Sequence, residues 1–399
     1  MIRGFFVPCR MENFDVVNPT RILFGPNQLD KLPELIASVT PSKNILLAYG
    51  GQSAKAIGVI DQVKNQLKDF QVFEFQGIEA NPEFNTLMKG VQYAQANDIG
   101  FILAIGGGSV IDGVKFMTGA FYEEQDPWEV LLRMEGRVFK KALPFGTILT
   151  LPATGSEANS GAVISRSELH EKRTTGGPLF FPKFSFLNPE YVSSLPKRQI
   201  ANGIIDAFVH TLEQYLTKPS DNLLQEREAE GILSTLIEIG PKVLLDPSNY
   251  KYASNLMWCA NHALNGNLRC GVITDWSTHM IGHELTAFFG IDHARTLAIV
   301  GPRLYENQFK YKREKLIQCG KRVFQLNGTD DEIATKCIQA IEQFYHQLEV
   351  PTKISAYTKV EIDIALEIKN RFIERSWLTM GENGTITPDV VYEIVTAAL

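Results

Sequence analysis

An apolar run over residues 101–105 stops at Gly106, Gly107, Gly108 and Ser109 and passes straight into a helix-like stretch from Val110 to Met117. A short, uninterrupted apolar run reads as a strand buried on both faces. Similar strand-like runs occur at 21–25, 44–49 and 71–75, with helix-like spacing at 59–69 and 83–97. Strands separated by helical stretches of roughly 10–15 residues imply βαβ units and a parallel sheet. From about Lys197 the pattern changes: residues 201–216, 221–245, 252–264 and 331–348 have helical periodicity, and β-branched runs become few. The switch falls near Asn188 and Pro189. The expected organisation is an α/β domain over 11–190 and an all-α domain over 191–399, with 1–10 as a leader or upstream extension before Met11.

Composition narrows the class. The chain has 399 residues, 44% hydrophobic and 21% charged, which excludes a disordered or fibrous protein. A chain this long buries about 75% of its unfolded surface and needs no disulfide or metal staple. The formal charge of −6 argues against nucleic acid, whose phosphates want a basic face. Cys9, Cys259, Cys270, Cys319 and Cys337 form no CxxC pair and no disulfide framework, so a reducing, cytoplasmic compartment is expected. No window holds the roughly 18 apolar residues of a membrane span.

Glycines after a strand let backbone N–H groups and the positive end of a helix meet a phosphate. Ile111 stands where the third glycine of the usual dinucleotide fingerprint belongs, so the turn also has a plainer reading as a tight strand-to-helix connection. Asp112 and Lys115 follow on the first turns of that helix, as a dipole-favoured Asp and a solvated Lys or as contacts to a cofactor. A second polar turn runs from Leu151 to Glu157, where Thr154 and Glu157 have capping-box spacing.

Of the seven histidines, His262, His279, His283 and His293 are close in sequence, and His210 follows Asp206 by four residues. On a helix, positions i and i+4 share a face, so Asp206 with His210, and His279 with His283, can point at one ion. The Glu of a zincin HExxH is absent. Asp206, His210, His279 and His293 together offer one carboxylate and three imidazoles, which suits Fe2+ or Zn2+ and leaves His283 as a nearby acid/base. The alternative is that these are ordinary core or surface histidines. His170 and His346 read as surface residues and His262 as structural.

Taken together, these motifs resemble the iron-containing (group III) alcohol dehydrogenases from about Phe14 to the C-terminus. The carrying segments are residues 106–115, 154–159, 206–215 and 279–284, with His293 ten residues after His283. Residues 49–53 and 58–63 resemble most the NADPH-dependent aldehyde reductases and butanol dehydrogenases of that family. The resemblance implies a dinucleotide-binding α/β domain followed by a helical metal-binding domain, a dehydroquinate synthase-like fold. It implies that Asp206, His210, His279 and His293 ligate the metal and that His283 assists proton transfer. Gly106, Gly107, Gly108 and Ser109 would hold the pyrophosphate, and Asp112, Lys115, Thr147, Thr150 and Lys172 would be further cofactor or cleft contacts. A homodimer is also expected from the family.

NAD readers place a carboxylate after the relevant strand, where it binds the ribose 2′-OH and repels a 2′-phosphate. Here Gly50, Gly51, Gln52 and Ser53 follow the strand ending at Tyr49, so NADP(H) is expected, with Gly50, Gly51 and Ser53 at the phosphate. Gln52 replaces a glycine common in the subgroup, and Asn188 replaces a common Asp. The expected reaction is reversible hydride transfer between NADP(H) and a small alcohol or aldehyde of short to medium chain length. Its first rival is a metal-dependent lyase of the dehydroquinate synthase type. That reaction wants a Lys/Arg cluster for a phosphorylated sugar acid, and residues 276–289 contain none. A non-haem iron oxygenase leaves the glycine turn unexplained, and a non-catalytic metal protein predicts metal without nucleotide.

Overall fold

The structure, a computed structural model, describes residues 11–132 and 139–399. The expected leader over 1–10, Cys9 included, lies outside the described residues. Residue contacts divide the chain into two compact units that interleave in sequence. One comprises Val17–Ala207 with Ile239–Asn265; the other comprises Phe208–Glu238 with Gly266–Leu399 and residues 11–16.

The first unit is built on a six-stranded, all-parallel sheet. Its strands are β1 (Arg21–Phe24), β2 (Asn44–Tyr49), β3 (Gln71–Gln76), β4 (Phe101–Gly107), β5 (Phe145–Leu151) and β8 (Phe184–Leu187), in the order β1-β8-β5-β4-β2-β3. A separate antiparallel hairpin pairs β6 (Gly161–Arg166) with β7 (Glu171–Gly176). Helices α1 (Leu32–Val39), α2 (Ser53–Ala56), α3 (Val59–Gln66), α4 (Phe84–Ala96), α5 (Gly108–Ala120) and α6 (Pro127–Leu132) connect the earlier strands.

Alternation along the strands sets the core. Ile45, Leu47 and Tyr49 of β2 and Phe101, Leu103 and Ile105 of β4 cluster with Leu32 and Ile36 of α1 and Val59, Ile60 and Val63 of α3. Each fully buried side chain of this size stabilises the fold by roughly 1.5–3 kcal/mol. The intervening Leu46, Ile102 and Ala104 are equally buried, as a parallel sheet covered on both faces requires. The β4–β5 register breaks at Gly106 and Gly107, and α5 begins at the next residue.

The second unit is helical. α7 (Lys197–Tyr215) and α8 (Leu223–Leu245) belong in part to each unit, and α9 (Tyr250–Leu264) belongs to the first. Then follow α10 (Ser277–Phe289), α11 (His293–Asn307), α12 (Phe309–Arg322), α13 (Asp330–Gln347), α14 (Ile364–Glu374) and α15 (Pro388–Ala397). α13 starts at a full capping box, with Thr329 accepting from the Glu332 N–H and Glu332 reaching back to the Thr329 N–H. Among the described residues no helix is long and apolar enough to cross a membrane.

Two expectations are corrected. Thr154 and Glu157 do not cap an α-helix: residues Ser156–Ala158 make one 3-10 turn after Gly155, whose φ is +61°. Thr154 Oγ1 accepts from the Ser156 N–H at 3.1 Å, while Glu157 is buried and accepts from Asn261 at 2.9 Å. Lys115 is not solvated. It is fully buried, and its three N–H bonds go to Ser156 Oγ (2.7 Å), Asn159 Oδ1 (3.0 Å) and the Gly161 carbonyl (2.7 Å).

Candidate metal centre and cofactor turn

Three helices supply the histidine and carboxylate group. α7 carries Asp206 and His210 one turn apart. Gly203 lets this helix lie against the chain at Pro152: a Cβ there would stand 2.3 Å from the Pro152 carbonyl oxygen, so any side chain would push α7 away. α10 carries His279 and His283 one turn apart, and His293 is the first residue of α11.

Ligand atoms of Asp206, His279 and His293 lie within 4.8 Å of one another. Asp206 and His279 are buried and His293 half-buried. His210 is not one of these three, but its ring stacks on that of His279, with centroids 4.6 Å apart and planes at 21°. His283 has its ring 4.9 Å from that of His293 and 6.3 Å from that of His279. The imidazoles therefore gather instead of scattering as ordinary core or surface groups. A buried carboxylate with two imidazoles at this spacing, and a third ring alongside, fits a divalent cation with nitrogen and oxygen ligands. His170 and His346 are exposed, and His262 packs edge-on against Trp258, so these three stand apart.

Sequence reading did not single out Glu213, which the structure puts at this centre. Its Oε2 contacts His279 Nδ1, and its Oε1 accepts from the Thr278 N–H at 2.6 Å. The available signal was the spacing Asp206, His210, Glu213, which keeps one face of α7 over i, i+4 and i+7. A second unpredicted group is an ion cluster beside it. Lys312, 2% exposed, reaches Asp275 at 2.9 Å, Glu382 at 3.1 Å and the Leu216 carbonyl at 2.7 Å.

The proposed cofactor residues fall into distinct surroundings. Gly106 and Gly107 end β4, and Gly108 and Ser109 open α5. A Cβ on Gly108 would stand 2.3 Å from Thr154 Oγ1, so the turn can close against that segment only as glycine. Ser109 Oγ accepts from the Asn81 N–H at 3.4 Å, and Lys172, half-buried on β7, donates to Asn81 Oδ1 at 3.0 Å. Burial lowers Lys172 to about 8, against the opposing pull of Asp112 and Asp206. Asp112 accepts from Ser156 Oγ at 2.6 Å and from the Val163 N–H at 2.9 Å. Burial pushes its carboxyl up and pushes Lys115 down to about 8, although each charge favours the other.

Thr147 sits inside the sheet and donates to Ser185 Oγ at 2.8 Å, whereas Thr150 is half-buried further along β5. Gly50 and Gly51 follow β2, beside β4, and Ser53 opens α2. The carboxylate of Glu74, on the neighbouring strand, is taken up by the Tyr49 hydroxyl at 2.7 Å and by Lys64 at 2.5 Å. Phe145 and Phe180 are core residues, while Trp258 is exposed.

Residues 19–189 match the profile described as iron-containing alcohol dehydrogenase, and residues 200–398 match that of the Fe-containing alcohol dehydrogenase family, C-terminal part. The chain is 48% identical to the NADPH-dependent aldehyde reductase YqhD of Escherichia coli, over 97% of this chain and all of that one. It is 37% identical to a probable NADH-dependent butanol dehydrogenase of Bacillus subtilis, over 98% of this chain and all of that one. Among solved structures, that of Escherichia coli YqhD superposes with a TM-score of 0.94 at 46% identity, covering 98% of this chain and all of that one. An NADH-dependent butanol dehydrogenase from Thermotoga maritima gives 0.92 at 30%, covering 98% and 99%. Both halves of the sequence, the sheet order and the histidine group lead to one conclusion: this chain belongs to the iron-containing alcohol dehydrogenase family.

Proposed function

We propose that this protein is a metal-dependent oxidoreductase that moves hydride reversibly between NADP(H) and short- to medium-chain alcohols and aldehydes. The observation that carries the reading is the convergence of Asp206, His279 and His293 within 4.8 Å in a member of this family. Asp206, His210, His279 and His293 would hold one divalent ion, Fe2+ or Zn2+. When bound, the ion supplies a Lewis acid for the carbonyl oxygen and the nicotinamide supplies the hydride.

The chain's own residues do the rest. Asp206 would offset part of the charge of a bound divalent ion, leaving the centre net positive towards a substrate oxygen. His283, one turn beyond His279 and with its ring 4.9 Å from that of His293, would pass a proton to the product alkoxide. The N–H groups from Gly106 to Ser109, where β4 ends and α5 begins, would hold the pyrophosphate. Asp112 and Lys115 would act through position, since their polar atoms bond residues 156–163 and tie the start of α5 to that segment, and Thr147 would act by joining β5 to β8. Lys172 and Thr150, both half-buried, would be further cofactor or cleft contacts.

The preference for NADP(H) is supported by the end of β2. Gly50, Gly51 and Ser53 offer N–H and hydroxyl donors, and the nearby Glu74 carboxylate is engaged by Tyr49 and Lys64. The name of the Escherichia coli relative agrees, while the Bacillus relative is named for NADH. In functional terms, residues 11–190 would take the nucleotide and 191–399 the metal. We also propose a homodimer in a reducing, cytoplasmic setting; the buried thiols of Cys259, Cys270, Cys319 and Cys337 support the latter.

The test is NADPH oxidation with butyraldehyde, followed by absorbance on as-purified, chelated and Fe2+- or Zn2+-restored protein, with NADH in parallel. The expected result is activity lost on chelation, regained with metal, and higher with NADPH. Silence in every arm, with metal and nucleotide still bound, would turn the reading towards the lyase. His283→Ala should retain the metal but lower kcat by roughly 10²–10⁴-fold, the usual contribution of a positioned acid/base. Unchanged kcat and pH profile would remove His283 from the proton path.

A further inference from the structure

We propose that Glu213 is the positioning residue of the metal centre: through His279 Nδ1 it fixes the tautomer and the rotation of that ring and so tunes how tightly the ion is held. The inference rests on the metal centre proposed above.

Three contacts tie Glu213 to the chain around His279. Its backbone carbonyl accepts from the Asp275 N–H at 2.9 Å, before α10 begins. Its Oε1 accepts from the Thr278 N–H at 2.6 Å, within the first turn of α10. That N–H has no partner inside its own helix, and a carboxylate there is also favoured by the helix dipole. Its Oε2 meets His279 Nδ1, the next residue along. The side chain is 1% exposed, so water does not compete for these bonds.

The chemical consequence follows from the two nitrogens of imidazole. A carboxylate acceptor at Nδ1 keeps the proton on that atom. Nε2 then carries the lone pair and is the ring atom left to act as ligand towards the group formed with Asp206 and His293. A metal-bound histidine backed by a carboxylate is more basic and cannot rotate away, and loss of such a partner commonly weakens metal binding by roughly 10–100-fold.

α7 thus contributes at two levels. Asp206 enters the donor group itself, and Glu213, seven residues on, aims a donor that sits on a different helix. Lys312 offsets only part of the charge crowded beside Glu213. Glu213 and Asp275 are two buried carboxylates near one another, and Lys312 lies 2.9 Å from Asp275.

The test is the apparent affinity of the chelated full-length protein for Zn2+, measured by competition with a chromophoric chelator. It compares wild type, Asp206→Ala, Glu213→Gln, His279→Ala and the Glu213→Gln/His279→Ala double variant. Glu213→Gln should bind roughly 10–100-fold more weakly than wild type. The double variant should bind no more weakly than His279→Ala alone, because Glu213 acts through that ring. A purely structural role would weaken binding equally in both backgrounds, and that outcome overturns the proposal, as does wild-type affinity in Glu213→Gln.

Should Glu213→Gln fail to fold, Glu213→Asp, which keeps the charge but draws it back by one methylene, should show the same coupling. If wild type binds no Zn2+, or Asp206→Ala binds it as wild type does, the metal centre itself fails. If those two behave as expected and Glu213→Gln does not, only the role of Glu213 falls.

Discussion

Replacing Lys312 by methionine is expected to cost the fold about 3–5 kcal/mol, because it leaves the Asp275 and Glu382 carboxylates buried without their cation. Burial works against the charge of Asp275, but Lys312 and the Ser277 bonds overcome it and hold that carboxyl below the usual range. Lys312, likewise opposed by burial, is held above its ordinary range by Asp275 and Glu382. Burial keeps Glu382 raised even with Lys312 present.

The signs set the pH dependence. A carboxylate lowered by folding adds stability above its ordinary value of 3.8, lost as pH falls through the lower folded value. An ammonium raised by folding adds stability below 10.5, lost as pH rises through the higher one. The Lys312–Asp275 pair therefore contributes fully from about pH 5 to pH 9. In Lys312→Met both carboxyls move up, and protonation relieves their cost as pH falls. The variant's melting temperature should lie roughly 4–6 °C below wild type at pH 7 and closer to it at pH 5. A deficit that grows on acidification, or no deficit, would contradict this account.

The second large effect is expected at Asp206. Asp206→Ala removes the one carboxylate of the donor group formed with His279 and His293. Metal affinity should fall by more than about a hundredfold, beyond what loss of an outer partner costs. Metal content after dialysis and NADPH-dependent aldehyde reduction should fall together. A metal-free Asp206→Ala protein that still reduces aldehyde would show that the ion is not needed for the reaction.

The parts of this molecule that a sequence reveals are those where burial leaves a regular trace. β2 is legible to the residue over 44–49, because a central parallel strand is apolar on both faces. β6 and β7 are not, since a hairpin carrying Glu171, Lys172, Arg173, Thr174 and Thr175 looks like a polar loop. β8 is four residues long, too short for alternation to show. Asp206, His210, His279 and His293 stand out through residue type and helical spacing. Glu213 does not, because a glutamate three residues after a histidine usually faces water and only tertiary packing buries it. Lys115 and Lys312 deceive for the same reason: lysine is almost never fully buried, so nothing local marks these two.

α7 is a single helix of 19 residues, and Asp206, His210 and Glu213 all ride on it. Donors mounted on regular helices do not wait for an ion to order them, unlike ligands strung along a loop. For the proposed centre, α7 would bring Asp206 and His210 already ordered, so placing these two side chains on an ion would cost little conformational entropy. Emptying and refilling the centre should leave the fold standing, so the ion is a replaceable part. Under the proposed donor set, which of Fe2+ and Zn2+ occupies the centre is expected to follow their supply, and metal content after growth in either ion checks this.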